Sequence, residues 1–236
     1  MEQTIEQKEV TKEKAKELID KFEYLKKYNF NFFYELAKMD KHGKGINEEC
    51  HSKILAWLLN AQGKNENTLQ YCFLKKFIQN LQGLNIENID TFIKKLSTDL
   101  AAITEYNHID IFLYSKNADF VCVIENKIDS ELGNEQLKRY SDFINNSEYA
   151  DCKYKSFVYL RRYINTKNKS DEKQILENKY QEIEYSDIAN MIDKSVLCKA
   201  ENDRMYFNVL QYKEYLDLYW YDTVDGVWIE KVKNLI

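Results

Sequence analysis

One stretch, residues 103–140 (ITEYNHIDIFLYSKNADFVCVIENKIDSELGNEQLKRY), constrains the fold of this chain more than any other. Apolar residues alternate around an acid in Ile109-Asp110-Ile111-Phe112-Leu113, the pattern of a strand. A polar turn at 115–118 leads to a second apolar run, 120–124, which ends in Glu125-Asn126-Lys127. Side chains of a strand alternate between faces, so Glu125 and Lys127 project to the same side. Tyr106-Asn107-His108 reads as a hairpin turn between a strand through Ile103 and the strand of Asp110. Glu105, just before it, could join the acids, but a position on their rim is expected. A Gly133-Asn134 break then precedes a helix in which Gln136 and Tyr140, spaced i,i+4, share one face.

Around this stretch the periodicities are mostly helical. Residues 8–39 carry Ala15, Leu18, Ile19, Phe22 and Leu25 at helical spacing, then a second apolar piece from Phe30 to Met39, broken by residues 41–45. Asn47 is a plausible N-cap for the next helix, with Glu48 and Glu49 in its first turn. Ile54, Leu55 and Leu58 define its apolar face; Glu48 lies near the edge of that face and Glu49 points away. His51 falls mid-face, where a hydrogen-bonded core histidine is the commoner outcome than a ligand. Residues 68–82 form another helix with Leu69, Cys72, Phe73 and Phe77 inward, and a polar stretch then leads to residues 90–96 and the strands. Residues 155–160 read as a buried strand ending in Arg161-Arg162, and 164–178 as a polar loop. A short strand through Ile183 leads to Ser186, a candidate N-cap. Residues 209–220 read as an amphipathic helix, and Asp225-Gly226 hints at a terminal hairpin. This order of elements is α/β: a mixed central β-sheet flanked by helices.

At 236 residues and 44% hydrophobic content, one soluble domain is expected, with no apolar run of membrane-spanning length. Five widely spaced cysteines without a C-x-x-C pair suggest a reduced, cytoplasmic protein rather than a disulfide framework or zinc site. The net charge of −5 argues against nonspecific coating of nucleic acid. Between 153 and 173, however, seven basic residues face only two acids. Such a stretch suits either a docking surface for a polyanion or a solvated loop.

Asp110, Glu125-Asn126-Lys127, Glu48 with His51-Ser52 and ILAWLL after it, and Gln136-Leu137-Lys138-Arg139-Tyr140 together resemble the PD-(D/E)XK nuclease superfamily, in particular its bacterial branch of nuclease-like proteins. Asp110 stands for the first acid of the motif, with Ile109 where the motif name has proline. Glu125-Asn126-Lys127 stands for E-x-K, and Gln136 to Tyr140 for the Q-x-x-x-Y helix. The resemblance covers roughly residues 46–220. It implies a restriction-endonuclease-like core over 46–236, with residues 1–45 as a helical leader packed on it.

Phosphodiester hydrolysis needs an attacking hydroxide and compensation of charge on the phosphoryl oxygens, and a hard divalent ion supplies both. The resemblance implies Mg²⁺, with Mn²⁺ as its substitute, held by Asp110, Glu125 and the backbone carbonyl of Asn126. Glu48 would bind through water or hold a second ion. Lys127 would face the attacking water and phosphate, while Gln136, Tyr140 and Arg161 would position substrate or brace the lysine. The function implied is a metal-dependent nuclease acting on nucleic acid, with DNA expected, and a homodimer if both strands of a duplex are cut. The branch points toward restriction, phage defence or mobile-element biology without selecting among them. The alternative is a catalytically silent nucleic-acid-binding or regulatory module on the same fold, favoured by the net acidity. Simpler readings also exist residue by residue: a strand-end ion pair for Glu125 and Lys127, a turn cap for Asp110. A two-carboxylate sugar hydrolase is disfavoured, because that chemistry has no need of the lysine.

Overall fold

The computed structural model describes residues 16–17, 19–20, 23–24, 30–39, 46–128, 130–162 and 169–219. Most of the helix expected over 8–39, the break at 41–45 and the hairpin expected at Asp225-Gly226 lie outside them. The described residues divide into two units, Asn47–Phe207 and a second made of the residues up to Ile46 together with those from Asn208.

In the second unit, helix α1 (Phe32–Lys38) is capped by Asn31, whose Oδ1 accepts from the Tyr34 amide at 3.0 Å. The Asn31 amide donates to the Gln211 carbonyl at 2.8 Å, and the Gln211 side chain accepts from the Phe32 amide at 2.8 Å. Phe33 packs on Tyr212, ring centroids 5.3 Å apart.

The larger unit begins with α2 (Glu48–Leu59), started as expected by Asn47, whose Oδ1 accepts from the Cys50 amide at 2.8 Å. Its inward face holds His51, Ser52, Leu55, Leu58 and Leu59; Ile54 is only partly covered. Helix α3 (Leu69–Asn80) is buried nearly all round, through Leu69, Tyr71, Phe73, Leu74, Phe77 and Ile78, because α2 and α4 (Ile89–Asp99) both pack on it. Cys72, expected inward, is only partly covered. The segment expected at residues 90–96, to which the sequence assigns no element type, is helix α4. It is capped by Asn88, whose Oδ1 accepts from the Thr91 amide at 2.9 Å, and it buries only Phe92, Ile93, Leu96 and Ser97 along one stripe.

Five strands follow in sheet order β1 (Ala101–Tyr106), β2 (Ile109–Ser115), β3 (Phe120–Lys127), β4 (Tyr154–Arg161) and β5 (Gln181–Glu184). The first three are joined antiparallel by tight turns, while β3–β4 and β4–β5 pair parallel. A parallel pair needs a crossover, and α5 (Gln136–Asn145) and α6 (Lys169–Glu177) lie within the two connections. The mixed sheet and flanking helices therefore stand as expected. Strand β3 sits centrally and is covered on both faces, which explains its unbroken apolar run. On one face Phe112, Val121, Val123 and Tyr159 meet Leu137, Tyr140 and Ile144 of α5 and Ile175 of α6. On the other, Phe120 meets Phe92 of α4 edge to face, centroids 5.9 Å apart.

Two local expectations are corrected. The polar loop expected over 164–178 contains helix α6, held down by Ile175 alone among its apolar residues, since Leu176 is exposed. One inward apolar residue leaves no periodicity to read. Ser186 is not the N-cap of the next helix, α7 (Tyr185–Met191). The N-cap is Glu184, two residues earlier, with Asp187 accepting from the Glu184 amide at 3.0 Å. Helices α8 (Lys194–Leu197) and α9 (Asp203–Glu214) follow, and a π-helical turn (Tyr215–Tyr219) continues α9, which begins six residues before the expected start. Among the described residues no helix is long and apolar enough to cross a membrane.

Leu58 is fully buried on α2. Leu58→Ala should lower unfolding free energy by about 2–5 kcal/mol in urea titrations. Lys53→Ala removes only an exposed i,i+4 ion pair with Glu49 and should leave the urea midpoint unchanged within error.

Candidate active site

The two acids come together because of the β2–β3 register. Ile111 pairs with Ile124 and Phe112 with Val123, so the next step outward brings the ends carrying Asp110 and Glu125 side by side. Asp110 shares its face with Phe112, and Glu125 with Val123, the face covered by α5 and α6. The end of β2 is fixed by the hairpin before it. Tyr106 pairs with Ile109 across a two-residue turn in which Asn107 and His108 both have positive φ (51° and 67°), the geometry of a type I′ turn. Glu105, also at positive φ (58°), is exposed on the rim.

Asp110 Oδ2 accepts from the backbone amide of Asn126 at 2.7 Å, which ties the first acid to the strand of the second. Glu125 is fully buried. Its Oε1 takes the Lys127 ammonium at 2.8 Å and the Gln136 side-chain amide at 2.6 Å, while Oε2 is buried with no hydrogen-bond partner. Gln136 also donates to the Tyr140 hydroxyl at 3.0 Å, and its Oε1 accepts from the Gly133 amide at 2.9 Å. Tyr140 in turn donates to the His108 carbonyl at 2.6 Å. A hydrogen-bonded chain thus runs from the strained turn before Asp110, through Tyr140 and Gln136, to Glu125. The face shared by Gln136 and Tyr140 is the face that meets the acids.

Glu48 reaches the same strand end from α2. Its Oε1 accepts from the Ile128 amide and from the Ser130 hydroxyl, each at 2.8 Å. Asn126 points to the opposite side of β3 from its neighbours. Its amide donates to the Glu48 carbonyl and to Ser52 Oγ, both at 3.0 Å, and its carbonyl oxygen accepts from Tyr185 at 2.8 Å. Ser130 and Tyr185 carried no signal in the sequence, because nothing in local spacing links them to residues 48 and 126. His51 is a core residue: fully buried, edge-on to the Tyr185 ring at 5.0 Å, its pKa pushed down to about 3 by burial. Arg161 stands beside Lys127 in the β3–β4 register. It is buried, 3.7 Å from a Glu182 carboxylate oxygen and 5.8 Å from the Tyr159 ring centre.

The electrostatics follow from burial and crowding. Glu125 is pushed up to about 8, first by burial and then by the Asp110 charge, against the pull of Lys127. Burial also raises Asp110, moderated by the Asn126 amide and by Lys127. Burial pulls Lys127 down, but Glu125, Asp110 and Glu48 more than offset it, so its pKa lies above the ordinary lysine value. Two crowded carboxylates, one with a buried oxygen lacking a hydrogen-bond partner, form a donor set that suits an oxygen-preferring divalent ion. The Asn126 backbone carbonyl lies between them and the lysine in sequence. No three His, Cys, Asp or Glu side chains form a preformed cage among the described residues. An ion held here would complete its shell with water and substrate oxygens, as Mg²⁺ does.

A mixed five-stranded sheet with helices on both faces, with an acid on one central strand beside an acid-x-lysine strand end, has the restriction-endonuclease-like α/β architecture. The model of the PD-(D/E)XK nuclease superfamily matches residues 30–215, most of the chain, and the chain belongs to that superfamily. The match begins before residue 46, so α1 falls inside it. No curated protein and no solved structure matches the chain.

Two outcomes are expected from this geometry. Because the Glu125 pKa is raised from its ordinary value of 4.5 to about 8, the fold favours its protonated form. The stability this confers is complete below pH 4.5 and is lost as pH rises toward 8. In chelator-treated protein, wild type should lose stability across that window more steeply than Glu125→Gln, by up to about 1.4 kcal/mol per pH unit. Parallel slopes in urea titrations at pH 5, 7 and 9 would contradict the burial argument. Tyr140→Phe keeps the ring but removes its hydrogen bond to His108. It should leave the thermal midpoint within a few degrees of wild type and weaken divalent-metal affinity by about tenfold, the usual cost of removing a residue that orients a ligand.

Proposed function

We propose that this protein hydrolyses phosphodiester bonds in nucleic acid, with DNA as the expected substrate, using a divalent ion held by Asp110, Glu125 and the backbone carbonyl of Asn126. The observation that carries this reading is the fully buried Glu125, its pKa pushed up first by burial and then by the Asp110 charge, holding one oxygen without a hydrogen-bond partner. Mg²⁺ is the expected ion and Mn²⁺ its substitute; when bound, it supplies a water of lowered pKa and stabilises negative charge on phosphoryl oxygens.

The chain's own residues do the rest. Lys127, 2.8 Å from Glu125 and partly exposed, is placed to orient the attacking water and to donate to a phosphate oxygen. Asp110 and Glu125 would hold the ion, and the rest of its shell would come from water and substrate oxygens. Gln136 keeps Glu125 Oε1 turned toward α5, and Tyr140 holds that arrangement against the β1–β2 turn. Arg161 braces the neighbouring strand end through Glu182. The five cysteines, all without disulfide partners, are compatible with a cytoplasmic protein.

The test combines binding and cleavage. Mg²⁺ or Mn²⁺ is titrated calorimetrically into wild type and Asp110→Ala, while plasmid and single-stranded DNA are incubated with each. Wild type should bind metal and nick DNA in a metal-dependent way. Asp110→Ala, Glu125→Ala and Lys127→Ala should each lose about 10²-fold or more in rate while remaining folded. Full activity in any of the three would remove that residue from the mechanism. Metal binding without cleavage of either DNA would favour the silent binding module.

A further inference from the structure

The hydrogen bonds of Glu48 and Asn126 form a closed pattern around Lys127. Asn126, on one side of the lysine, donates to the Glu48 carbonyl and to Ser52 Oγ one turn further along α2. Ile128, on the other side, donates its amide to Glu48 Oε1, which also accepts from Ser130. The backbone and side chain of one residue at the start of α2 therefore grip the strand end both before and after the lysine. The fully buried Asn126 side chain makes three bonds: two from its amide group to α2 and one to its oxygen from Tyr185 of α7. A buried amide so fully satisfied has one low-energy orientation, because losing any partner leaves a polar group uncompensated.

We propose that Glu48 and Asn126 are positioning residues for Lys127, and that the Glu48 carboxylate acts as a hydrogen-bond acceptor for the chain leaving β3 rather than as an ion ligand. Oε1 is taken up by two bonds at 2.8 Å, which leaves Oε2 alone to meet a cation, and among the described residues Glu48 forms no three-carboxylate cage with Asp110 and Glu125. Its two donors are neutral groups of the backbone and of a serine, so the position requires an acceptor at that reach and does not require a charge. The catalytic consequence rests on the metal-dependent reading above; the clasp itself does not.

The charge-neutral variant separates the two roles. Glu48→Gln keeps an acceptor oxygen at the same distance, Glu48→Ala removes it, and Ser130→Ala removes one exposed donor with little risk to folding. Backbone hydrogen exchange over residues 126–130, read by mass spectrometry in metal-free protein, should be unchanged in Glu48→Gln. It should quicken about tenfold in Glu48→Ala, and less in Ser130→Ala. With Mg²⁺, Glu48→Gln should keep the wild-type stoichiometry and an affinity within about twofold. Its DNA cleavage should exceed that of Glu48→Ala at least tenfold, with the same metal stoichiometry in both. Unaltered exchange in Glu48→Ala and Ser130→Ala would overturn the clasp. Loss of an ion, or of affinity, in Glu48→Gln would overturn the acceptor role and make Glu48 a ligand. A wild-type protein that neither binds metal nor cleaves DNA would overturn the reaction, while the exchange data would still decide the clasp.

Discussion

The structure depends on one costly act, the burial of a carboxylate at the end of the central strand. Glu125 is shielded from water, lies against a second acid, and is held up near pH 8 by both. An uncompensated charge there would destabilise the fold, so its surroundings are arranged around it. Lys127 supplies charge from the same strand face, and Gln136 supplies a donor from α5. Gln136 can do so only if α5 is correctly placed, and its hydroxyl partner Tyr140 ties that helix to the His108 carbonyl of a left-handed turn. Two residues at positive φ without glycine are unfavourable by themselves. They persist here because the turn joins two paired strands and its His108 carbonyl accepts from the Tyr140 hydroxyl.

Alternation along β3 turns this local arrangement into a link between layers. Glu125 and Lys127 face α5 and α6, whereas Asn126 between them faces α2 and α7. A single three-residue segment therefore carries the charged chemistry on one side of the sheet and the polar lock on the other. A core of apolar side chains alone would hold these layers together without specifying their register. Four short hydrogen bonds between the start of α2 and the end of β3 specify it to within the length of a hydrogen bond.

The strands, the hairpin and the shared face of Gln136 and Tyr140 were legible because each rests on a period of two or four within a few residues. The pairing of Asp110 with Glu125 was legible because a short turn joins their strands and leaves few registers. What stayed hidden depended on distance or on sparse contact. Helix α6 is anchored by Ile175 alone, and α4 by a narrow stripe, so neither raises a strong periodic signal. Tyr185 meets Asn126 across 59 residues of chain, and Ser130 meets Glu48 across 82. Glu48 itself was found as a residue of interest from its place at the edge of a helix face. Its two acceptor bonds depend on where the chain leaves β3, which no helical pattern encodes.

The charge distribution bears on how such a site would engage a polyanion. The basic stretch of 153–173 left two readings open, and its arginines answer part of the question: Arg161 and Arg162 are both buried, and Arg161 faces Glu182. Lys155 is turned back onto the Ala150 carbonyl. These three groups serve the interior, Lys153 and Lys173 of the same stretch stay exposed, and the net charge of −5 offers no long-range attraction to phosphate. On the proposed reading, attraction would therefore come at short range, from the ion between Asp110 and Glu125 and from Lys127. Affinity for substrate would then be conditional on the metal, and would fall with metal removal more steeply than with added salt. A protein that grips DNA by an extended basic surface shows the opposite dependence.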